Sequence, residues 1–322
     1  MSAACSRTRE WRPGRPVDLP ATTGTLARGG GDPSHRRAGE AALWRATRTP
    51  DGPALLHVRV VAPLGLVHAE AWGPGASWVL DGVPELLGDA DPGYDDFRPR
   101  PEHPLLVDAW RRRPGLRTPR TRAVLEALAW AGLEQVVTGK ESRRSMRLLL
   151  RRYGEPAPGA PAAPGGPAAG MLVPPAPRDW ARVPSWEWLR AGVERRRSAV
   201  VLRAAGVAGR LEATLGLDHA AADRALRSLP GVGRWTSAEV RQRAHGDPDA
   251  FSFDDYHVAK DVSWALTGEV LDDDGCAEVI ACYTGHRYRV QRLLEVAGAR
   301  RPRRAPRMTL PTHTPAATGG RS

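Results

Sequence analysis

Leu229-Pro230-Gly231-Val232-Gly233 stands between two runs of helical period, 218–227 and 234–245, and constrains the chain more than any other stretch. Pro230 fixes φ at the turn, while Gly231 and Gly233 allow positive φ and put no side chain between the backbone and a partner. The second helix then begins with bare N–H groups aimed outward, the arrangement with which a helix terminus holds a phosphate. Arg234, Arg241 and Arg243 add positive charge to the same element. Beyond it an acidic pair, Asp254-Asp255, directly precedes another helical run, 258–266.

The charge balance points the same way. The 322 residues carry a formal net charge of +11, which favours a polyanionic partner. The other reading is that arginine is simply the basic residue in use, since Lys140 and Lys260 are the only lysines. Three cysteines, Cys5, Cys276 and Cys282, make no disulfide framework and have no histidine pair at zinc spacing, so they read as core residues in a reducing, cytoplasmic setting. The chain holds no apolar run of membrane-spanning length and no signal-like start, so no membrane is expected.

Taken in order, residues 1–15 lack periodicity and are expected to be disordered. Residues 16–112 read as an α+β unit. Thr49-Pro50-Asp51-Gly52 has the residues of a tight turn and separates Ala42–Thr47 from Ala54–Val61, and Leu66–Trp72 follows. Their period of two predicts an antiparallel sheet, with helices over Val79–Leu87 and Pro104–Arg112. From 113 to 298 the period is helical. Val124, Leu125, Leu128, Gly132 and Val136 mark a helix running to about Thr138, and Met146, Leu149, Leu150 and Tyr153 mark the next. Residues 156–170 consist only of Pro, Ala and Gly and predict an exposed loop inside the helical region. Further helices are expected at Ser185–Ala191, Arg195–Ala208, Val258–Leu266 and His286–Ala297, the last two closed by Gly268 and Gly298. Residues 299–322 read as a basic, disordered tail. The fold class is therefore α+β: an N-terminal antiparallel sheet domain followed by an all-α domain.

Two roles are open to the acidic pair. Asp254 or Asp255 is a helix N-cap, or one of them is an ionised group held by helix N–H groups beside whatever sugar the hairpin positions. An anion next to C1′ of a deoxyribose stabilises the oxocarbenium-like state in which an N-glycosidic bond breaks, and it orients the incoming water.

LPGVGRWT followed by DDYHVAKD resembles the helix-hairpin-helix DNA glycosylase superfamily, and within it the DNA-3-methyladenine glycosylase II branch. The likeness extends to LEALAWAGLEQVVTG, RRYGEPAPG and GHRYRVQRLL, and so covers roughly residues 117–298. The resemblance implies that Asp255 is the catalytic acid. Trp235, Glu239, Asp254, His257 and Gly285 would line the substrate pocket, His257 either ordering the site or packing against the DNA backbone. Leu229, Pro230, Gly231, Val232, Gly233, Arg234 and Thr236 would bind DNA, in the family often with a monovalent cation at hairpin carbonyls. Gln135 and Val136 fall where the family fills the gap left by an extruded nucleotide, although Val136 also reads as helix core. Trp235 stands where strand-cutting relatives carry a Schiff-base lysine, and three cysteines are too few for a four-thiolate iron–sulfur cluster, so a monofunctional enzyme without cofactor is expected. An indole face attracts a cationic alkylated purine such as 3-methyladenine or 7-methylguanine. Gly285 and Glu239, where the branch has aromatic residues, make the pocket less aromatic. The expected partner is double-stranded DNA with a damaged base, bound by a monomer. The alternatives are a non-catalytic DNA-damage-binding protein and a glycosylase for another lesion.

Overall fold

The structure is a computed structural model that describes residues 6–302. It begins with strand β1 (Arg7–Trp11), followed by α1 (Leu19–Thr23), β2 (His35–Arg37), β3 (Ala42–Thr49), β4 (Gly52–Val61) and β5 (Leu66–Trp72). The strands form one antiparallel sheet in the order β1-β5-β4-β3-β2. The turn at Thr49–Gly52 closes β3 on β4, with Gly52 at φ +122°. Period two sets what each face buries. Leu43, Leu56, Val58, Val67, Ala69 and Ala71 pack under α2 (Ala76–Asp81) and α3 (Val83–Leu86), the expected helix split at Gly82.

Residues 163–165 lie in solvent, as an exposed 156–170 loop would, but that loop also packs on the opposite face of the sheet, which carries Trp44, Ala46, Leu55 and Trp72. Ala157, Ala168, Met171 and Val173 are buried against these residues. The short pair β6 (Glu155–Pro156) and β7 (Leu172–Val173) brackets the segment. Small residues let the backbone approach the indoles. A Cβ on Gly159 would stand 2.5 Å from the Trp72 ring. The two tryptophans supply the bulk that the Pro-Ala-Gly composition lacks.

Other boundaries also differ from the reading. Residues 7–11 of the supposed disordered start are an edge strand on β5, and residues 1–5 lie outside the described part. Helix α4 (Pro104–Arg112) belongs with the C-terminal helices, not with the sheet. Leu106 and Ala109 join a core with residues of α13 (Val258–Thr267), α14 (Asp273–Ile280) and α15 (Arg287–Val296). The tail from residue 303 lies outside the described residues, but Arg301 is fixed by Asp261 Oδ1 at 2.8 Å. Cys276 is buried in that core and Cys282 is exposed, so only one of the two is a core residue.

The remaining helices surround α5 (Val124–Glu134), nine of whose residues are buried. They are α6 (Gly139–Tyr153), α7 (Pro177–Ala181), α8 (Ser185–Arg190), α9 (Arg195–Gly206), α10 (Ala208–Ala213), α11 (His219–Arg227) and α12 (Arg234–Val240). A π-helical turn, Arg241–His245, extends α12 as far as the periodicity predicts. The expected run of α5 to Thr138 stops short because Thr138 instead caps α6, in a reciprocal pair with Glu141. Among the described residues no helix is long and apolar enough to cross a membrane.

Two buried histidines tie stability to pH. Burial pulls His35 and His245 down to about 4. The unfolded chain takes up these protons near pH 6.5, whereas the native protein does so only near 4, so stability is full above 6.5 and is lost as pH falls. Each histidine contributes about 1.4 kcal/mol per pH unit across that window. Thermal melts are expected to show a midpoint that falls from pH 7 to pH 5, with a flatter profile in the His35→Gln/His245→Gln double variant. Equal slopes for the two proteins would refute the assignment.

Candidate active site and nucleic-acid interface

The hairpin forms as the sequence predicts. Its turn closes through Val232 N donating to Leu229 O at 3.0 Å, and only Gly231 takes positive φ, at +93°. Gly233 is extended, and a Cβ added to it would meet nothing, so its backbone is open to a partner. Gly233 caps α12 without a side-chain bond, leaving the first N–H groups of that helix uncapped. The side chains divide between the two sides. Gly231, Gly233 and Arg234 are exposed; Val232 is buried in the core of α5, α9 and α12, with Leu229 packed against it. Thr236 also points inward, its hydroxyl accepting from Gln135 Nε2 at 2.9 Å. Val232 and Thr236 therefore offer backbone, not side chain, because their positions on the turn and helix face α5.

The carbonyls expected to hold a cation are engaged within the protein. Leu229 O accepts from Val232, Pro230 O from the Arg203 guanidinium at 3.2 Å, and Gly231 O from Gln135 at 2.8 Å. A guanidinium at Pro230 O is a poor neighbour for a monovalent cation, so that oxygen does not fit one.

At the end of α5, three arginine and glutamine contacts fix one loop. Arg197 donates to Leu133 O, Arg28 pairs with Glu134 through both carboxylate oxygens, and Gln135 reaches the hairpin. Val136 follows with φ +54° and 91% of its surface exposed. A β-branched residue in the left-handed region costs on the order of 1–3 kcal/mol and persists only where its surroundings enforce it. The helix-core alternative for Val136 is thus excluded. Gln135 is a brace between α5 and the hairpin, and Val136 alone projects.

The acidic pair separates cleanly. Asp254 is exposed, sits at φ +66° and donates its N–H to Asp273 Oδ2 at 3.0 Å. Asp255 is half-buried. Its Oδ1 accepts from His257 N at 2.8 Å and Val258 N at 3.1 Å, at the start of α13. Its Oδ2 has no hydrogen bond or ion pair among the described residues. Asp255 is therefore both a cap and a carboxylate with one oxygen to spare. Two residues upstream, Phe253 lies under the Arg234 guanidinium, 4.5 Å from ring centre, which ties the acid's loop to the first residue of the hairpin's second helix. Tyr256 is 75% exposed beside it. The ring of His257 faces Arg301, 3.4 Å from Nδ1, and its backbone N–H donates to Asp255.

Two expected pocket residues fall elsewhere. Gly285 donates to Asp249 Oδ1 at 2.8 Å and lines a groove of about 660 Å³ with Arg287, Phe251, Phe253 and Arg234, a groove that Trp235, Glu239 and Asp255 do not line. Asp249 holds both Gly285 N and the Arg287 side chain. Asp254 is excluded by its exposure. Glu239 is buried, paired with Arg243 at 2.8 Å and accepting from Ser252 Oγ at 2.9 Å. Burial pulls the Arg243 guanidinium down, and Glu239, with Tyr288 and Glu134, more than offsets it, so its net shift is upward. Arg203, Arg28 and Ser252 had no local sequence signal. Only tertiary packing brings them to the hairpin, to Glu134 and to Glu239.

No family model and no curated protein sequence matches the chain. Solved structures do. A 3-methyladenine DNA-glycosylase from Archaeoglobus fulgidus superposes with a TM-score of 0.72 at 17% identity, over 90% of this chain and 98% of its own. An 8-oxoguanine glycosylase/lyase from Clostridium acetobutylicum, solved with double-stranded DNA containing cytosine opposite 8-oxoguanine, gives 0.66 at 11% identity over 91% and 97%. This is the helix-hairpin-helix glycosylase fold. The near-complete coverage of the neighbours extends the shared fold to the N-terminal sheet, which the motif resemblance covers only loosely. At these identities the likeness carries the fold, and the chemistry rests on the residues described above.

Proposed function

We propose that the chain is a DNA N-glycosylase of base excision repair that hydrolyses the glycosidic bond of alkylated purines. One observation carries this reading: Asp255 is anchored by Oδ1 on two backbone N–H groups at the mouth of α13 and keeps Oδ2 free, on the loop that Arg234 joins to the hairpin. A duplex gripped at the open backbone of Gly231 and Gly233 presents its phosphates to the N-terminus of α12. Val136, projecting from the brace that Gln135 makes, enters the stack and offsets part of the cost of extruding a nucleotide. Oδ2 then faces the anomeric carbon, stabilises the positive charge that develops there and aligns water for attack. A base that already carries ring charge leaves without being protonated.

The reading is hydrolytic and monofunctional. Trp235 supplies no amine, and Lys260 Nζ lies over the Tyr256 ring at 4.6 Å. A lyase step needs an amine nucleophile. The full chain, incubated with dimethyl-sulfate-treated DNA, is expected to release methylated purines and leave unbroken strands until alkali is added. Val136→Gly should keep binding to an abasic duplex and slow release by about tenfold, corresponding to roughly 1.4 kcal/mol of lost extrusion energy. Tight DNA binding with no released base would replace the enzyme with a damage-binding protein. Direct strand cleavage with a borohydride-trappable adduct would refute the hydrolytic route.

A further inference from the structure

Three consecutive glycines, Gly29, Gly30 and Gly31, lie exposed between α1 and β2, and two arginines of α6 approach them. The fold explains two of the three. Gly29 and Gly31 take φ of +83° and +87°, in the left-handed region. A Cβ on Gly29 would stand 2.8 Å from Arg143 Cδ, and one on Gly31 would stand 3.8 Å from Arg147 Cδ. Gly30 is different. Its φ lies outside the left-handed region, and a Cβ added to it would meet nothing within 4 Å. Neither strain nor packing asks for glycine at 30, whereas close approach of a partner to the backbone does. A residue of ordinary φ between two left-handed ones also has the alternation with which successive N–H groups form an anion-binding nest. The amides of Gly30 and Gly31 donate to nothing among the described residues. Arg143 and Arg147 are half-buried, and neither has a hydrogen bond or ion pair among the described residues. The carboxylates of this loop and of the flanking helix ends are already taken. Asp32 accepts from Arg28 N and Ser34 N, Glu134 holds the Arg28 guanidinium, and Glu141 caps α6.

We propose that Gly29–Gly31, Arg143 and Arg147 form a second phosphate site, separate from the hairpin, which holds one backbone phosphate of the bound duplex. This rests on the glycosylase reading above, from which it takes the duplex as the partner. A phosphate there accepts from the Gly30 and Gly31 amides and pairs with two guanidiniums, the charge-assisted kind of hydrogen bond. Gly30 is bare because a phosphate oxygen comes where a side chain would stand. The loop is fixed to the segment that carries Val136. Arg28 pairs with both oxygens of Glu134, two residues before Val136, and α6 starts three residues after it. Gln135 ties the same segment to the hairpin. Val136 is thus braced from two grips on one duplex. Phosphate contacts fix the position of a duplex but carry no information about its bases, so this site acts on affinity and salt dependence and leaves the choice of lesion alone.

The test measures binding of the full chain to an undamaged duplex and to one with a stable abasic site, over a series of KCl concentrations. Arg143→Gln/Arg147→Gln should weaken both complexes about tenfold near 0.1 M salt and lower the slope of log affinity against log salt by about 1, the change for one phosphate. Gly30→Asp puts a carboxylate into the cradle at a position where the fold leaves open space. It should melt at the parental temperature and bind both duplexes about tenfold more weakly. Release of methylated purines by saturating protein should stay parental in both variants. Parental affinity and salt slope in both variants, with methylated DNA still processed, overturn the proposal and leave the glycosylase reading intact. A loss of affinity confined to the abasic duplex also overturns it, since a phosphate contact is present on either duplex. Slower release with binding unchanged overturns it too, because the residues would then act on the chemistry. If the double variant melts below the parent, Gly30→Asp decides alone. A parent that binds neither duplex defeats the glycosylase reading and this site with it.

Discussion

Asp255→Asn is expected to lower base release by about 10³-fold while the protein still folds and still binds an abasic duplex. Asparagine keeps an Oδ1 that accepts from His257 N and Val258 N, so the start of α13 stays as it is. What changes is Oδ2, where an anion becomes a neutral donor aimed at the developing positive charge. Removing a single preorganised electrostatic group from a water-poor site costs on the order of 10²–10³ in rate, and loss of a full charge belongs at the upper end. Asp254→Asn serves as the contrast, since that side chain faces outward, and it should release base at close to the parental rate. Single-turnover release from methylated DNA measures both. Near-parental activity in Asp255→Asn would move the chemistry to another group.

The second large effect concerns stability. Asp91→Ala is expected to cost about 3–5 kcal/mol, because it strands a buried guanidinium. Arg289 Nη1 and Nη2 lie 2.7 and 2.8 Å from the two oxygens of Asp91, with the side chains 1% and 0% exposed. Asp91 also accepts from Thr118 N at 2.9 Å. The pair joins the segment after α3 to α15, and so fastens the sheet side to the helix that carries Tyr288. For a chain of this size each kcal/mol moves the melting midpoint by roughly 2–4 °C, so a drop of about 10 °C is expected. Asp91→Ala/Arg289→Met should recover much of it by removing the stranded charge. A melting point within 2 °C or so of the parent for Asp91→Ala would show that water reaches the guanidinium.

Local pattern made most of the helices and the three central strands legible, because each buries one face and its apolar spacing reports that face. The hairpin and Asp255 were legible for a different reason: turn chemistry and helix capping are short-range, and glycine and aspartate announce them. What escaped had no local signature. Strand β1 is an edge, and its pattern of mostly exposed residues gives no alternation to read. The 156–170 segment lacks apolar bulk, and its burial depends on Trp44 and Trp72, far away in sequence. Thr25 looks like an ordinary loop residue until the fold brings its carbonyl to Arg243 Nε. Gly285 was assigned to the pocket by the family resemblance alone, and the sequence around it carries no sign that Asp249 holds its N–H.

Gln135 donates through one amide nitrogen to both Gly231 O and Thr236 Oγ1. The projecting valine and the phosphate-facing glycines are thereby parts of a single rigid lever. Under the proposed function, seating the turn on a strand would fix the depth to which Val136 reaches, so that backbone spacing would be measured at the same instant that a nucleotide is displaced.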